Sequence, residues 1–397
     1  MAAKTGAKEK SATKKTTAKR GGTSAPTIHK GLAGVTVDTT SVSKVMPETN
    51  SLTYRGYAVQ DLAASCSFEE VAYLLWHGEL PTRRQLNAFT KDERGRREIS
   101  RNHIEVIRRY PKKAHPMDTL RTSVSYLGTT ETAWGGEPRE KDLDRAMDML
   151  AKIPTMIATD YRFRKGLPRK KPRRDLSMSE NFFHMCFGEV PPKEVIRAFD
   201  ISLILYAEHS FNASTFTARV ITSSRSDIYS AVTGGIGSLK GPLHGGANEA
   251  VMHNLLEIRT PKRAESWLRD KFATKGLVMG FGHRVYKSGD SRVPTMRAAL
   301  EDLAAWKGDR KWIEISDVLQ NIMIGEKGIH PNLDFPAGPA YYLMGFEIDM
   351  YTPIFVMSRI TGWAAHILEQ NASNSLIRPL SLYDGVAQRG VKPISKR

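Results

Sequence analysis

Gly241-Pro-Leu-His-Gly-Gly-Ala-Asn-Glu249 sets one histidine among residues that hold a backbone tightly. Pro242 fixes one dihedral, while Gly241, Gly245 and Gly246 permit conformations closed to other residues and let backbone or ligand approach closely. His244 is therefore expected to be aimed at something. The plain alternative is a helix-connecting loop whose histidine caps a nearby backbone group.

Three further segments share that character. Gly280-Phe-Gly-His-Arg-Val-Tyr-Lys287 leads from glycines into His283 and a basic cluster, or else into a turn with a solvated Arg284/Lys287 face. In Pro331-Asn-Leu-Asp-Phe-Pro-Ala-Gly-Pro339, Asp334 lies between apolar residues in a segment expected to be too broken by proline for regular helix, with a helix beginning near Pro339 to Tyr341. A carboxylate beside Leu333 and Phe335 resists ionisation and makes a better base near neutral pH, unless it merely caps that helix. Tyr206-Ala-Glu-His-Ser-Phe-Asn-Ala-Ser-Thr-Phe-Thr-Ala-Arg219 packs His209, Asn212, Ser214, Thr215 and Thr217 at the end of an apolar helical run. So dense a polar cluster beside a core helix suggests a binding site.

In order, these segments resemble the citrate synthase family, from about Gly31 to the C-terminus. Leu52-Thr-Tyr-Arg-Gly-Tyr57, Leu74-Leu-Trp-His-Gly-Glu-Leu-Pro81 and the late pair Arg378-Pro379 belong to the same pattern. The resemblance implies an all-α, two-domain fold with the active site in the cleft. It implies a large domain of residues 31–244 and 346–397 and a small one of 245–345.

It also implies the reaction: condensation of an acyl-CoA with oxaloacetate, then hydrolysis of the thioester. Asp334 matches the general base, His244 the donor to the thioester oxygen, and His283 the residue that polarises the oxaloacetate ketone. Arg292, Arg359 and Arg378 match the arginines that grip the two carboxylates, with His209 completing the pocket, since the planar guanidinium fork fits a carboxylate as an ammonium does not. The family usually reads Asp-Pro-Arg where this chain has Asp290-Ser-Arg292. Leu277, Val278, Met279, Gly280 and Phe281 match the loop that takes the adenine of coenzyme A, and Arg284, Lys287 and Lys327 are candidates for its phosphates. No metal or other cofactor is implied. A homodimer is, with Arg378 reaching the partner's pocket. The wording of the His209 and Asp334 segments is closer to 2-methylcitrate synthases, which use propionyl-CoA, than to enzymes dedicated to acetyl-CoA. One methylene separates these substrates, so dual use is physically easy.

The same residue types admit other chemistries. His244, His283 and Asp334 have the composition of a two-histidine, one-carboxylate iron triad. Gly235-Ile-Gly237 is followed by Lys240 where a dinucleotide fingerprint needs glycine, and no phosphate-loop lysine pattern, nucleophile elbow or H-E-x-x-H occurs.

The net charge of +17 on 397 residues raises nucleic acid as a partner. Much of that charge is local. Residues 1 to 30 carry eight Lys or Arg against Glu9 and no large apolar residue between Met1 and Ile28, so a disordered basic tail is expected rather than a secretory or transit signal. Arg162-Phe-Arg-Lys-Gly-Leu-Pro-Arg-Lys-Lys-Pro-Arg-Arg174 is a second basic run, expected as a loop that is solvated or steers anions. Phe163 is its only aromatic, which is poor for nucleic-acid binding. Two well-separated cysteines, Cys66 and Cys186, point to a reducing, cytoplasmic compartment, and no apolar run is long enough for a membrane span. Helices are expected over Phe68–Gly78, Lys193–Glu208, Pro294–Lys307, Trp312–Gly325 and Thr352–Glu369, with strand character confined to alternations such as Val35 and Val37.

Overall fold

The computed structural model describes residues 27–131, 135–283, 285–286 and 289–397. Apolar spacing of three and four dominates them, and they fold into sixteen α-helices and one small antiparallel sheet. The sheet is β1 (Ser43–Met46), β2 (Ser51–Tyr54) and β3 (Tyr57–Ala58), paired in that order with Val45 opposite Leu52. Then follow α1 (Val59–Ser65), α2 (Phe68–His77), α3 (Arg83–Arg96), α4 (Arg101–Arg108), α5 (Pro116–Thr129), α6 (Arg139–Arg164), α7 (Met178–Phe187) and α8 (Lys193–Tyr206). The second half contributes α9 (Ala213–Ser223), α10 (Ile228–Leu239), α11 (Ala247–Ile258), α12 (Pro261–Ala273), α13 (Val293–Lys307), α14 (Lys311–Lys327), α15 (Asp334–Leu343) and α16 (Tyr351–Ala372). Thr40–Ile377 form one compact unit, while residues up to Thr39 and Arg378–Arg397 belong to another.

The core is organised around α16. Its apolar residues point all round the helix, from Tyr351, Ile354 and Phe355 through Val356, Ile360 and Trp363 to Leu368, and all are buried. A helix apolar on every face belongs inside a protein, and α16 packs against α2, α6, α8, α9, α10 and α11. Burying it also buries Arg359 and His366, at 1 % and 0 % exposure, so each needs a partner. His366 has one: its Nε2 lies 2.9 Å from Glu208 Oε1.

One local pattern occurs twice. Ser67 and Glu70 close a reciprocal cap on α2, Gly78 ends it at φ 92°, and Glu-Leu-Pro leads into α3. Ser177 and Glu180 do the same for α7, Gly188 ends it at φ 93°, and Glu-Val-Pro leads into α8. Each serine and glutamate satisfies two otherwise unpaired backbone groups, and each glycine takes a left-handed turn at no steric cost. The second copy starts α8, which ends at Tyr206, three residues before His209.

Three expectations need correction. Val35 and Val37 are not in a strand, and Val37 is 44 % exposed. The sheet forms instead where Pro47 to Asn50 turn the chain and β2 buries Leu52 and Tyr54. The Asp334 segment is regular helix from Asp334 itself, because Pro336 falls in the first turn, where its missing N–H has no helical partner to lose. Only Pro339 interrupts the ladder. Arg162 to Arg164 close α6, so the basic connection begins at Lys165.

Candidate active site

The break between α8 and α9 presents His209. Tyr54 in β2 holds it from below, its hydroxyl 2.9 Å from the carbonyl of Glu208 and 3.1 Å from that of Ile204. Ser210 turns the chain at φ 51°, strained for a side chain with Cβ, and its N–H donates to Ser43 Oγ at 2.9 Å. Asn212 then caps α9 by accepting from Thr215 N–H, and Thr217 bonds the Ala213 carbonyl. Asn212, Thr215 and Thr217 thus build the corner around His209.

The His244 loop joins α10 to α11. Its glycines serve close approach, as expected, but none of them takes the left-handed conformation: a Cβ at Gly245 would sit 2.6 Å from Leu239 Cγ and 2.7 Å from its carbonyl oxygen. His244 Nε2 accepts from Ser214 N–H at 3.3 Å and lies 2.8 Å from Ser214 Oγ, which Trp363 Nε1 contacts at 3.1 Å. Burial, assisted by the Arg359 charge, lowers His244 to about 3, so the ring is neutral. With Nε2 accepting, the proton sits on Nδ1 as a fixed donor.

His283 and Asp334 are stitched together by backbone. Gly282 N–H donates to His330 O at 2.8 Å, Asn332 N–H to Gly280 O at 2.9 Å and Asn332 Nδ2 to Gly282 O at 2.9 Å. Gly280 and Gly282 take φ of 83° and 80°, which only glycine accepts freely, and a Cβ at Gly280 would meet Val251 at 2.6 Å. His283 Nδ1 accepts the N–H groups of Val285 and Tyr286, both at 3.1 Å, so in the neutral ring Nε2 carries the proton. Its ring centre is 5.0 Å from that of His209. Asp334 Oδ1 accepts the Tyr206 hydroxyl at 2.6 Å. Burial pushes this carboxyl up to about 6, against Tyr206 and Arg292, which pull it down.

Two arginines differ in their state. Arg292 at the start of α13 is bound bidentately by Asp290, Nε at 3.0 Å and Nη2 at 2.7 Å, and the same carboxylate accepts Leu333 N–H at 3.2 Å. Burial alone would push Asp290 up, but Arg292 outweighs it and holds the carboxyl well below the usual range. Serine at 291, where the family usually has proline, leaves this clamp intact. Arg359 donates Nε to Tyr206 O at 2.7 Å and lies over the Phe355 ring at 4.7 Å, yet among the described residues its Nη1 is buried with no partner and no carboxylate bonds it. Burial lowers it to about 10. His209 Nε2 is likewise buried and unpartnered, and burial with Arg292 keeps this ring neutral. A buried donor on Arg359 and a buried ring nitrogen on His209, both without partners and beside Arg292, are the signature of a site that waits for a polar, anionic ligand.

Several other expected residues fall elsewhere. Arg378 is exposed and belongs to the unit that includes the C-terminal residues. Leu277 is 74 % exposed, Val278, Met279 and Phe281 are half-buried, and Gly280 is buried, which makes a loop with accessible backbone after α12. Lys327 closes α14 with Nζ 4.4 Å from the Phe272 ring centre. Arg284 and Lys287 lie outside the described residues. No three His, Cys, Asp or Glu among the described residues stand close enough to share a metal ion, which leaves the iron-triad alternative without a site. No described helix is long and apolar enough to cross a membrane. Tyr206, Phe355 and Asp290 receive no role from the sequence, and Ser214 only a place in the polar cluster around His209. Their roles come from partners remote along the chain, although Tyr206 and Ser214 lie inside the segment that carries His209.

Comparison with known proteins fits this geometry. The citrate synthase C-terminal domain model matches residues 31–380. A citrate synthase from Mycolicibacterium smegmatis is 59 % identical over 367 residues, 92 % of this chain and 98 % of its own. A 2-methylcitrate synthase from Mycobacterium tuberculosis is 59 % identical over 368 residues, 92 % of each chain. A solved ternary complex of carboxymethyl coenzyme A and oxaloacetate with citrate synthase from Thermoplasma acidophilum superposes with a TM-score of 0.89 at 35 % identity, covering 94 % of this chain and 100 % of the other.

Proposed function

We propose that this chain, which belongs to the citrate synthase family, condenses a short acyl-CoA with oxaloacetate and hydrolyses the product thioester, using propionyl-CoA to give 2-methylcitrate and acetyl-CoA to give citrate. The observation that carries the reading is the pair of buried, unpartnered nitrogens, Arg359 Nη1 and His209 Nε2, beside Arg292. They suit the carboxylates and ketone of oxaloacetate.

The chemistry follows from the protonation states. Asp334, raised to about 6, is ionised at neutral pH yet basic enough to take the proton alpha to the thioester carbonyl. His244 presents Nδ1–H to the thioester oxygen, so the charge that develops there meets a donor already in place. His283 presents Nε2–H to the ketone oxygen and protonates it as the new carbon–carbon bond forms. Water then attacks the thioester carbonyl, and coenzyme A leaves as the thiol.

The remaining assignments belong to the same proposal. Residues 277–281 receive the adenine, with Arg284, Lys287 and Lys327 near its phosphates. Residues 245–345 form a small domain that closes on the rest once oxaloacetate is held, which excludes water before the acyl-CoA is engaged. The protein works as a dimer in the cytoplasm, with Arg378 acting on the partner's site. In support of the dimer, Leu380, Val391 and Ile394 are 91 %, 89 % and 80 % exposed in a segment that a second copy would cover.

Release of the coenzyme A thiol from propionyl-CoA and acetyl-CoA, measured with and without oxaloacetate, tests the reading. Oxaloacetate-dependent release is expected with both, with the higher kcat/KM for propionyl-CoA. Release from neither overturns the function, and a strong acetyl-CoA preference overturns the 2-methylcitrate assignment. Mixing Arg378→Ala with His283→Ala chains should restore part of the activity, and failure despite heterodimer formation would count against action in trans.

A further inference from the structure

Nothing in the condensation as described uses the hydroxyl of Tyr206, yet it donates to Asp334 Oδ1 at 2.6 Å. The residue is fixed at every other point. It ends α8, is 2 % exposed, and sets its ring against Phe355 with centres 4.2 Å apart and planes tilted by 50°. Its carbonyl accepts Arg359 Nε at 2.7 Å. One residue therefore holds the buried arginine with its backbone and the carboxylate with its side chain. Asp334 reaches this contact across the cleft from α15, 128 positions along the chain.

A buried tyrosine needs a partner for its hydroxyl, and any acceptor would have served. Here the acceptor is the one carboxylate read as the base. Among the described residues Asp334 Oδ1 has this hydrogen bond and Oδ2 has none.

We propose that Tyr206 is a positioning residue for the base: its hydroxyl occupies Oδ1, turns Oδ2 toward the alpha carbon of the acyl group, and links that alignment to the Arg359 end of the oxaloacetate pocket. The inference rests on the reading of Asp334 as base. In the step itself the alpha C–H bond breaks, its proton passes to Oδ2, and its electron pair moves into the enol whose oxygen faces His244. The Tyr206 proton stays where it is. Burial and the neighbouring Asp334 raise the phenol well above its ordinary value, so it remains a donor throughout the working pH range.

A hydrogen bond to a carboxylate favours the charged form. Tyr206→Phe removes only that bond, since the ring and the backbone carbonyl remain. In this variant the acid limb of kcat is expected to move up by about one pH unit, with kcat on the plateau down about tenfold and the oxaloacetate KM changed less than about twofold. Incorporating 3-fluorotyrosine at position 206, a stronger donor of the same shape, should move the limb the other way, and decides the matter should the phenylalanine chain fold poorly. An unmoved limb in both chains, or a change confined to the oxaloacetate KM, overturns the inference while the wild-type condensation still stands. A wild-type protein without condensation activity overturns the reading of the site and this inference together.

Discussion

The pocket proposed for oxaloacetate and the basic connection after α6 use the same residue type to opposite ends. In the run from Arg162 to Arg174, Arg162 donates to the carbonyls of Pro168 and Cys186, Arg164 pairs with Asp160 at 2.7 Å, Arg169 meets Glu98, and Arg173 meets Asp175. Only Arg164 Nη2 is left buried without a partner, on a guanidinium whose charge Asp160 already meets. These arginines stitch α6 to its surroundings. The pocket around His209 has fewer cations, but among the described residues Arg359 lacks any hydrogen-bonded carboxylate and keeps a donor with no acceptor. Charge density therefore says little about function, whereas an unpaired buried donor says much, because folding gains nothing from it.

The contrast can be broken most completely through the base. Asp334→Asn should lower kcat by roughly 10²- to 10⁴-fold with both KM values little changed. Because burial raises the folded pKa of Asp334, the stability it contributes is fully present below the unfolded value near 3.8 and is lost as pH rises through about 6. The same variant should therefore melt higher than wild type at pH 7 to 8, a difference that shrinks below pH 4.

Stability separates the two sets of arginines next. Arg162→Leu leaves two carbonyls unpaired and should cost about 1–3 kcal/mol in denaturant unfolding, with KM values unchanged. Arg359→Leu leaves the Tyr206 carbonyl unpaired but also removes a buried charge that no carboxylate bonds among the described residues, and the two offset, so it should unfold near the wild-type midpoint while activity collapses. A loss of stability like that of Arg162→Leu would make Arg359 a structural residue.

A smaller effect concerns pH. Condensation needs ionised Asp334, so kcat in the wild type should fall about tenfold per unit below an apparent pKa of about 6, and His244, already neutral there, should add no second limb above pH 4. The smallest concerns the loop's solvated charges: Lys170→Ala with Lys171→Ala should change neither stability nor KM by more than about twofold. A large rise in the acyl-CoA KM would show that the run steers substrate after all.

Much of this was legible in the sequence, for a physical reason. The helices follow from apolar spacing, and the positions of His244, His283 and Asp334 follow from glycine and proline segments that shape the backbone locally. What spacing cannot carry is the partner across the fold. Trp363 supports Ser214 and through it His244, Asp290 clamps Arg292 and the Asp334 loop at once, and Tyr206 reaches Asp334 from another helix. The same gap misplaced the strand, because Val35 and Val37 have the right alternation but no hairpin partner, whereas β1 and β2 have each other. It also left the basic run looking free, since its partners are a mixture of neighbours, Asp160, Pro168 and Asp175, and groups brought in by the fold, Glu98 and the Cys186 carbonyl.

The most direct test is calorimetric titration of oxaloacetate alone into the wild type, Arg359→Leu and Arg162→Leu. Wild type and Arg162→Leu are expected to bind alike, with Arg359→Leu weaker by roughly a hundredfold, as fits loss of a buried charge-assisted pair. Equal binding by all three chains would contradict the claim that the unpaired Nη1 of Arg359 in α16 is there to hold the substrate.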